Sequence, residues 1–251
     1  MQAAMRYSKR DFLEHLEREH KINPLSVYLK EIVYGGNDGI VTTFAVVAGF
    51  TGASAGDSIP TFSAVAVLLF GLANLFADGT SMGLGNFLSV RSEQDIYRSH
   101  KHRELSEIRE NPEMERAETV HILRTKGFSR KDAETIATIY SKNEQSWLDF
   151  MMSHELEMPN PEHDNPLLTG TVTFFSFVFF GLIPIVPYIF MESLENIFSV
   201  SVSFAFLALV LLGMLRWRVT KQTLWRSVGE VVLVGGTSAV IAFIVGTFFR
   251  A

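Results

Sequence analysis

The sequence lacks cations over most of its apolar length. Lysine and arginine are absent from three long blocks, 31–90, 167–215 and 227–249. Soluble domains disperse charge more evenly, whereas a hydrocarbon core roughly 30 Å thick selects apolar segments of about 20 residues without cations. The pattern therefore excludes an ordinary soluble domain. It predicts an all-α polytopic membrane protein.

Cysteine is also absent, which excludes disulfides and thiolate metal sites. Any metal must then be held by carboxylate, imidazole or thioether groups. The net charge of −5 gives no indication of a nucleic-acid partner. Nucleotide loops and nucleophile motifs are missing, so the sequence predicts neither an enzyme nor an organic cofactor. The polar N-terminus has no apolar core, which argues against a cleaved signal peptide.

Apolar segments of spanning length predict five transmembrane helices. They cover residues 27–51, 62–90, 167–190, 197–215 and 228–249. The predicted organisation is an N-terminal amphipathic segment 1–26, spans one and two in 27–90, a helical insert 91–166, and spans three to five in 167–251. Residues 8–19 form an amphipathic helix that lies either on the membrane surface or in solvent.

Cations between the spans predict the orientation. They concentrate in the N-terminal segment, in the insert and in the loop 216–226, which the positive-inside rule places in the cytosol. The loops that carry Asp57, Glu192 and Glu195 then lie outside. The membrane is the plasma (inner) membrane if the source is bacterial and a vacuole-type membrane if it is eukaryotic.

Helix signals divide the insert, which is too long for a simple loop. Residues 100–110 extend the second span, and Asn111-Pro112 breaks that helix with Asn at the N-cap and Pro at the first position. Further helices are predicted over 113–126, from a capping box at Ser129, and over 144–158.

Acids inside the spans are the first candidate site. Asp38 and Asp78 have no cation within any span to pair with, and burying each costs about 2.5–3.5 kcal/mol on insertion scales. Met82 lies four residues after Asp78, so both share a helix face. Glu31 lies two turns before Asp38, where it faces either the pathway or the solvated interface. The alternative for both aspartates is a hydrogen-bonded structural role.

Acids and methionines in the insert form the second candidate site. Two pairs of glutamates have i,i+3 spacing, and a fold-back at Asn111-Pro112 would bring both to one place. In a third set, Met151 and Met152 precede Glu155 by four and three residues. The alternative is a solvated helix face, because arginines are interspersed. The candidate metal ligands are Glu104, Glu107, Glu115, Glu118, Met151, Met152 and Glu155, with His154 as a possible auxiliary ligand.

Carboxylate with thioether suits a borderline divalent ion. Fe²⁺ is such an ion, with Mn²⁺, Co²⁺ and Zn²⁺ as alternatives, whereas Mg²⁺ and Ca²⁺ prefer oxygen alone.

Four motifs resemble the vacuolar iron transporter family. They are Asp-Gly-Ile at 38–40, Phe-Ala-Val-Val-Ala-Gly at 44–49, Ser-Met-Gly-Leu-Gly at 81–85 and Pro-Ile-Val-Pro-Tyr at 184–188. The glutamate and methionine set of the insert is similar to the family's cytosolic metal-binding domain. The resemblance implies a two-fold homodimer of five-helix protomers that exchanges cytosolic Fe²⁺ for protons.

The resemblance also implies roles for individual residues. Asp38 and Met82 match pathway ligands, and Glu31 matches an entrance carboxylate. Plant-like members often have a glutamate where this chain has Asn74, and Asp78 one turn later is expected to replace its charge. The predicted function is therefore proton-coupled Fe²⁺ export from the cytosol across a bilayer. The alternatives are a Mn²⁺ transporter and a membrane-anchored iron-binding protein or ferroxidase.

Overall fold

The computed structural model describes residues 14–15, 24–53, 64–190 and 196–248. All regular structure among these residues is helical, as predicted. The helices longer than three residues are α1 (Pro24–Val27), α2 (Leu29–Ala53), α3 (Ala64–Glu110), α4 (Pro112–Thr125), α5 (Arg130–Tyr140), α6 (Glu144–His154), α7 (Pro166–Leu182), α8 (Val186–Phe190), α9 (Ile197–Thr220) and α10 (Leu224–Thr247). Two 3₁₀ turns add Pro161–His163 and Ile183–Ile185.

The chain forms two compact units. The span unit contains the residues up to 84 and from 169 onward, and the insert unit is Gly85–Leu168. Most of the predicted amphipathic helix 8–19 and the acidic residues Asp57, Glu192 and Glu195 lie outside the described residues.

Four described helical segments are long and apolar enough to cross a membrane: Ala64–Glu110, Pro166–Phe190, Ile197–Thr220 and Leu224–Val245. They correspond to predicted spans two to five. The first predicted span corresponds to α2, whose 25 residues reach about 37 Å. Its glycines, threonines, Asn37 and Asp38 lower its hydropathy, and it is not among the four.

Glycine allows α2 and α3 to pack closely against α7 in the span unit. A Cβ at Gly39 would collide with the backbone carbonyl of Phe177. A Cβ at Gly83 would lie 2.9 Å from the carbonyl oxygen of Gly170. Only hydrogen fits at these positions, which allows both helices to contact α7 closely near Asp78.

The third predicted span is interrupted. The sequence predicts one segment over 167–190, whereas α7 gives way to a 3₁₀ turn and then to α8. Pro184 and Pro187 have no N–H to donate to the preceding turn. Ser201 Oγ donates to the carbonyl of Pro184 at 2.7 Å, so α9 satisfies a buried acceptor at the interruption.

Local signals position the insert helices as predicted. Helix α3 ends at Glu110, and α4 begins at Pro112 with Asn111 as the N-cap residue, although that side chain makes no capping bond. Ser129 Oγ accepts from the Asp132 N–H at 3.2 Å, which confirms the predicted start of α5. Helix α6 ends earlier than predicted, at His154, because Glu157 takes a left-handed φ of 50°.

Candidate metal centre and transport pathway

The span unit contains five candidate pathway residues. Helix α2 carries two of them and α3 carries three: Glu31, Asp38, Asn74, Asp78 and Met82. The carboxylates of Asp38 and Asp78 lie within electrostatic range, so like-charge repulsion acts between them. Among the described residues, none of the ion pairs involves either aspartate. A cation or a proton would relieve this repulsion.

Asn74 and Asp78 form a hydrogen-bonded pair one turn apart on α3. Asn74 Nδ2 donates to Asp78 Oδ2 at 2.7 Å. This hydrogen bond holds the Asp78 carboxylate in one rotamer. The expected replacement of a glutamate at 74 by Asp78 remains a prediction, and the hydrogen bond gives it a geometric basis.

Glu31 is buried within the span unit. Its side chain is 9% exposed, and its Oε2 atom has no hydrogen-bond partner. The solvated role that the sequence allowed is therefore wrong. A buried carboxylate oxygen without a donor is costly unless a proton or a cation reaches it.

A cleft of about 710 Å³ in the span unit reaches Asp38. Lys30, Arg216 and Glu230 also line it. Glu230 accepts from Arg216 at 2.6 Å and from Arg226 at 3.0 Å. The sequence pattern does not predict that this ion pair shares a cleft with Asp38.

Three glutamates converge in the insert unit. Glu104 on α3, Glu115 on α4 and Glu155 at the end of α6 each offer a carboxylate oxygen, and these oxygens lie within 4.8 Å of one another. Glu104 and Glu115 are both 3% exposed, and each has one buried oxygen without a hydrogen-bond partner. The solvated-face alternative is therefore wrong for these two residues.

Burial and mutual repulsion disfavour three negative charges here. Burial and the charge of Glu155 raise the pKa of Glu104 to about 7. Burial and the charge of Glu104 raise the pKa of Glu115 to about 8, and burial with the charge of Glu118 raises the pKa of Glu155 to about 7. In the described residues, no ion pair neutralises any of the three. A proton or a bound cation would relieve this repulsion near neutral pH.

Glu107 and Glu118 lie at the edge of this cluster. Both charges act on the three converging carboxylates. Glu107 also accepts from Arg103 Nε at 3.0 Å, which gives it an alternative partner. All five predicted glutamates thus lie in one neighbourhood, as the fold-back at Asn111 requires, although their role as ligands stays a prediction.

The two methionines are completely buried in the apolar core of the insert unit. Met151 lies one turn before Glu155 on α6, and its Sδ accepts from Thr119 Oγ1 at 3.3 Å. His154 is exposed and its ring packs edge-on against Phe150 at 4.6 Å, so it is not part of the converging group. The sequence pattern does not predict the contact between Thr119 and Met151, although Thr119 follows Glu115 by four residues and so shares its helix face.

Buried carboxylates without a neutralising ion pair, in a chain whose apolar helices also carry acids, are typical of a metal-handling membrane protein. A sequence profile of the VIT family matches residues 29–247. The chain belongs to the VIT family. The match covers both units of this VIT-family protein, including every candidate site residue.

Curated relatives extend the same comparison. A vacuolar iron transporter of Toxoplasma gondii is 34% identical over 252 residues, covering 96% of this chain and 81% of the relative. Vacuolar iron transporter 1 of Arabidopsis thaliana is 32% identical over 235 residues, covering 94% and 90%. That of Oryza sativa subsp. japonica is 32% identical over 215 residues, covering 86% and 82%. These names denote transporters rather than enzymes, in agreement with the non-enzymatic prediction for this VIT-family chain.

Proposed function

We propose that this VIT-family protein exports Fe²⁺ from the cytosol in exchange for protons, and that the insert collects the ion. The observation that carries the proposal is the convergence of Glu104, Glu115 and Glu155 without a neutralising cation. Carboxylates from three helices, with a methionine one turn away, suit a borderline divalent ion. The names of the curated relatives support iron as the cargo.

The proposed membrane pathway runs through the span unit. Asp38 and Met82 are the central ligands, Asp78 with Asn74 supplies a second charge, and Glu31 is the entrance carboxylate. The orphan oxygen of Glu31 and the repulsion between Asp38 and Asp78 support this assignment, because each is relieved by a passing cation.

Proton coupling follows from carboxylate chemistry. Protonation removes the charge that attracts the ion, so a proton gradient can drive release. Insert carboxylates with pKa values of about 7 to 8 exchange protons for metal near neutral pH. The pathway acids are expected to act in the same way.

The proposed assembly is a homodimer of five-span protomers in the bilayer, with the N-terminus and the insert in the cytosol. Helix α2 is the first span and brings the four long apolar helices to a total of five. Its length is sufficient, and its polar residues are among the pathway residues. One protomer supplies few ligands in the spans, and a two-fold axis would double each of them.

Fe²⁺ uptake into proteoliposomes under an imposed proton gradient tests the function. We expect gradient-dependent uptake by the wild type and none by Asp38→Asn, with Asp95→Asn as a matched control because the Asp95 side chain is 64% exposed. Gradient-independent uptake would contradict antiport. Oxygen consumption without uptake would instead identify the ferroxidase alternative.

Mn²⁺ is the second candidate cargo, and the all-carboxylate cluster favours it because Mn²⁺ prefers oxygen ligands. Competition between Fe²⁺ and Mn²⁺ in the same vesicles ranks the two ions. If the vesicles take up Mn²⁺ in preference to Fe²⁺, Mn²⁺ replaces Fe²⁺ as the proposed cargo.

A further inference from the structure

A buried hydrogen-bond relay lies one turn below the carboxylate cluster of the insert unit. The indole Nε1–H of Trp147 donates to Thr119 Oγ1 at 2.8 Å, and Thr119 Oγ1 donates to Met151 Sδ at 3.3 Å. The three side chains are between 0% and 2% exposed. The relay is therefore sealed from solvent.

Helical spacing connects the relay to the proposed ligands. On α6, Trp147, Met151 and Glu155 follow one another at intervals of one turn. On α4, Thr119 follows Glu115 by one turn, and its hydroxyl also lies 2.8 Å from the Glu115 carbonyl oxygen. Thr119 is thus interleaved between two turns of the facing helix.

The hydroxyl proton of Thr119 has two acceptors, and it can serve only one at a time. The Trp147 N–H occupies one lone pair of the hydroxyl oxygen and so restricts where its proton points. The Met151 thioether is otherwise a flexible, weak acceptor with three rotatable bonds. When the Thr119 proton points at the sulfur rather than at the Glu115 carbonyl, the hydrogen bond restricts the Met151 rotamer and uses only one lone pair of the sulfur.

We propose that Thr119, oriented by Trp147, positions the Met151 thioether for the metal and so gives the insert its preference for thioether-binding ions over Mn²⁺. The proposal rests on the proposed metal site. Thr119 is a positioning residue, since it acts through the sulfur of Met151. Zn²⁺ and Co²⁺ accept thioether ligands, whereas Mn²⁺ prefers carboxylate and water.

The test measures Zn²⁺ and Mn²⁺ affinities of the full chain in detergent for the wild type and three variants. Thr119→Val removes the hydroxyl at nearly constant volume, and Thr119→Ser restores it. Met151→Leu removes the sulfur itself. We expect Thr119→Val to lower the Zn²⁺/Mn²⁺ affinity ratio about tenfold, as for other groups that orient ligands, and Thr119→Ser to retain the ratio.

X-ray absorption of bound Zn²⁺ supplies an independent signature. A sulfur neighbour is expected in the wild type and in Thr119→Ser, and its loss is expected in Thr119→Val. Trp147→Phe, which keeps an aromatic ring without the N–H, is expected to weaken the sulfur signal in part.

The outcomes distinguish failure of the positioning role of Thr119 from failure of the proposed metal site. If Met151→Leu lowers the ratio and Thr119→Val does not, the positioning role is wrong while the thioether site stands. Equal weakening of both ions in Thr119→Val would indicate general structural damage and also overturn the role. If Glu115→Gln leaves both affinities unchanged, the proposed metal site itself fails.

Discussion

The insert and the spans handle negative charge differently. In the insert unit, three glutamates converge within 4.8 Å and two of them are almost completely buried. In the span unit, Asp38 and Asp78 repel each other, but among the described residues no third carboxylate joins them in a comparable group. One chain therefore brings three carboxylates together in the insert and only two interacting aspartates in the spans.

This difference suggests that the two units have different roles in handling the ion. A site with several carboxylates binds tightly and retains its ion, whereas a site with few ligands per chain allows release. Collection and passage would then belong to different units. The predictions below test this contrast, beginning with the largest effect.

Asp38→Asn should abolish transport while leaving the insert site intact. We expect Fe²⁺ uptake to fall by at least about 100-fold, because groups that merely orient ligands already cost 10–100-fold. Zn²⁺ binding by the same full-length variant should equal that of the wild type. Loss of both Fe²⁺ uptake and Zn²⁺ binding in Asp38→Asn would show that the span site and the insert site are not separate.

Glu115→Gln should weaken metal binding and stabilise the metal-free insert. Removing one charge from the cluster relieves repulsion, so the apo protein should melt at a higher temperature at pH 8. Metal affinity should fall about 10–100-fold, measured by titration calorimetry. Glu113→Gln is the matched control, since the Glu113 side chain is exposed and pairs only loosely with Arg116 at 3.6 Å.

The insert should lose stability as the pH rises in the absence of metal. The pKa values of Glu104, Glu115 and Glu155 are raised by burial from 4.5 to about 7, 8 and 7. A group whose folded pKa is raised contributes stability below its unfolded pKa and loses it as the pH passes the folded value. The apo melting temperature should therefore fall between about pH 5 and pH 8.

Bound metal should reverse that dependence. Cations compete with protons for the same oxygens, so Zn²⁺ affinity should rise with pH over the same interval. Melting curves with and without Zn²⁺ at several pH values measure both effects. An apo melting temperature that is independent of pH would show that the carboxylates are solvated.

Asn74→Ala should have the smallest effect. It removes the 2.7 Å hydrogen bond to Asp78 without removing the charge. We expect the transport rate to fall about twofold to fivefold, in line with a net hydrogen-bond contribution of about 1 kcal/mol. Asn74→Asp, which adds a carboxylate one turn from Asp78, should slow release and raise the apparent affinity in the same assay.

Much of the fold follows from local sequence signals. The cation-free blocks predict four segments that the structure also shows as long apolar helices. The break at Asn111 and the cap at Ser129 were predictable because Pro and Ser act on backbone groups within one turn. The early end of α6 was not predictable, because Glu157 is not a glycine and adopts its left-handed φ without a local sequence signal.

The sequence by itself determined which residues are candidates for the chemistry: the acids of the spans, the paired glutamates and the adjacent methionines. Only the tertiary structure decided which of them meet. Glu104 and Glu155 are far apart along the chain, and their approach depends on how α3, α4 and α6 pack. Packing among the span helices likewise buries Glu31, and packing of α4 against α6 places Thr119 against Met151. Burial depends on the neighbouring helices, whereas periodicity shows only which face a residue shares.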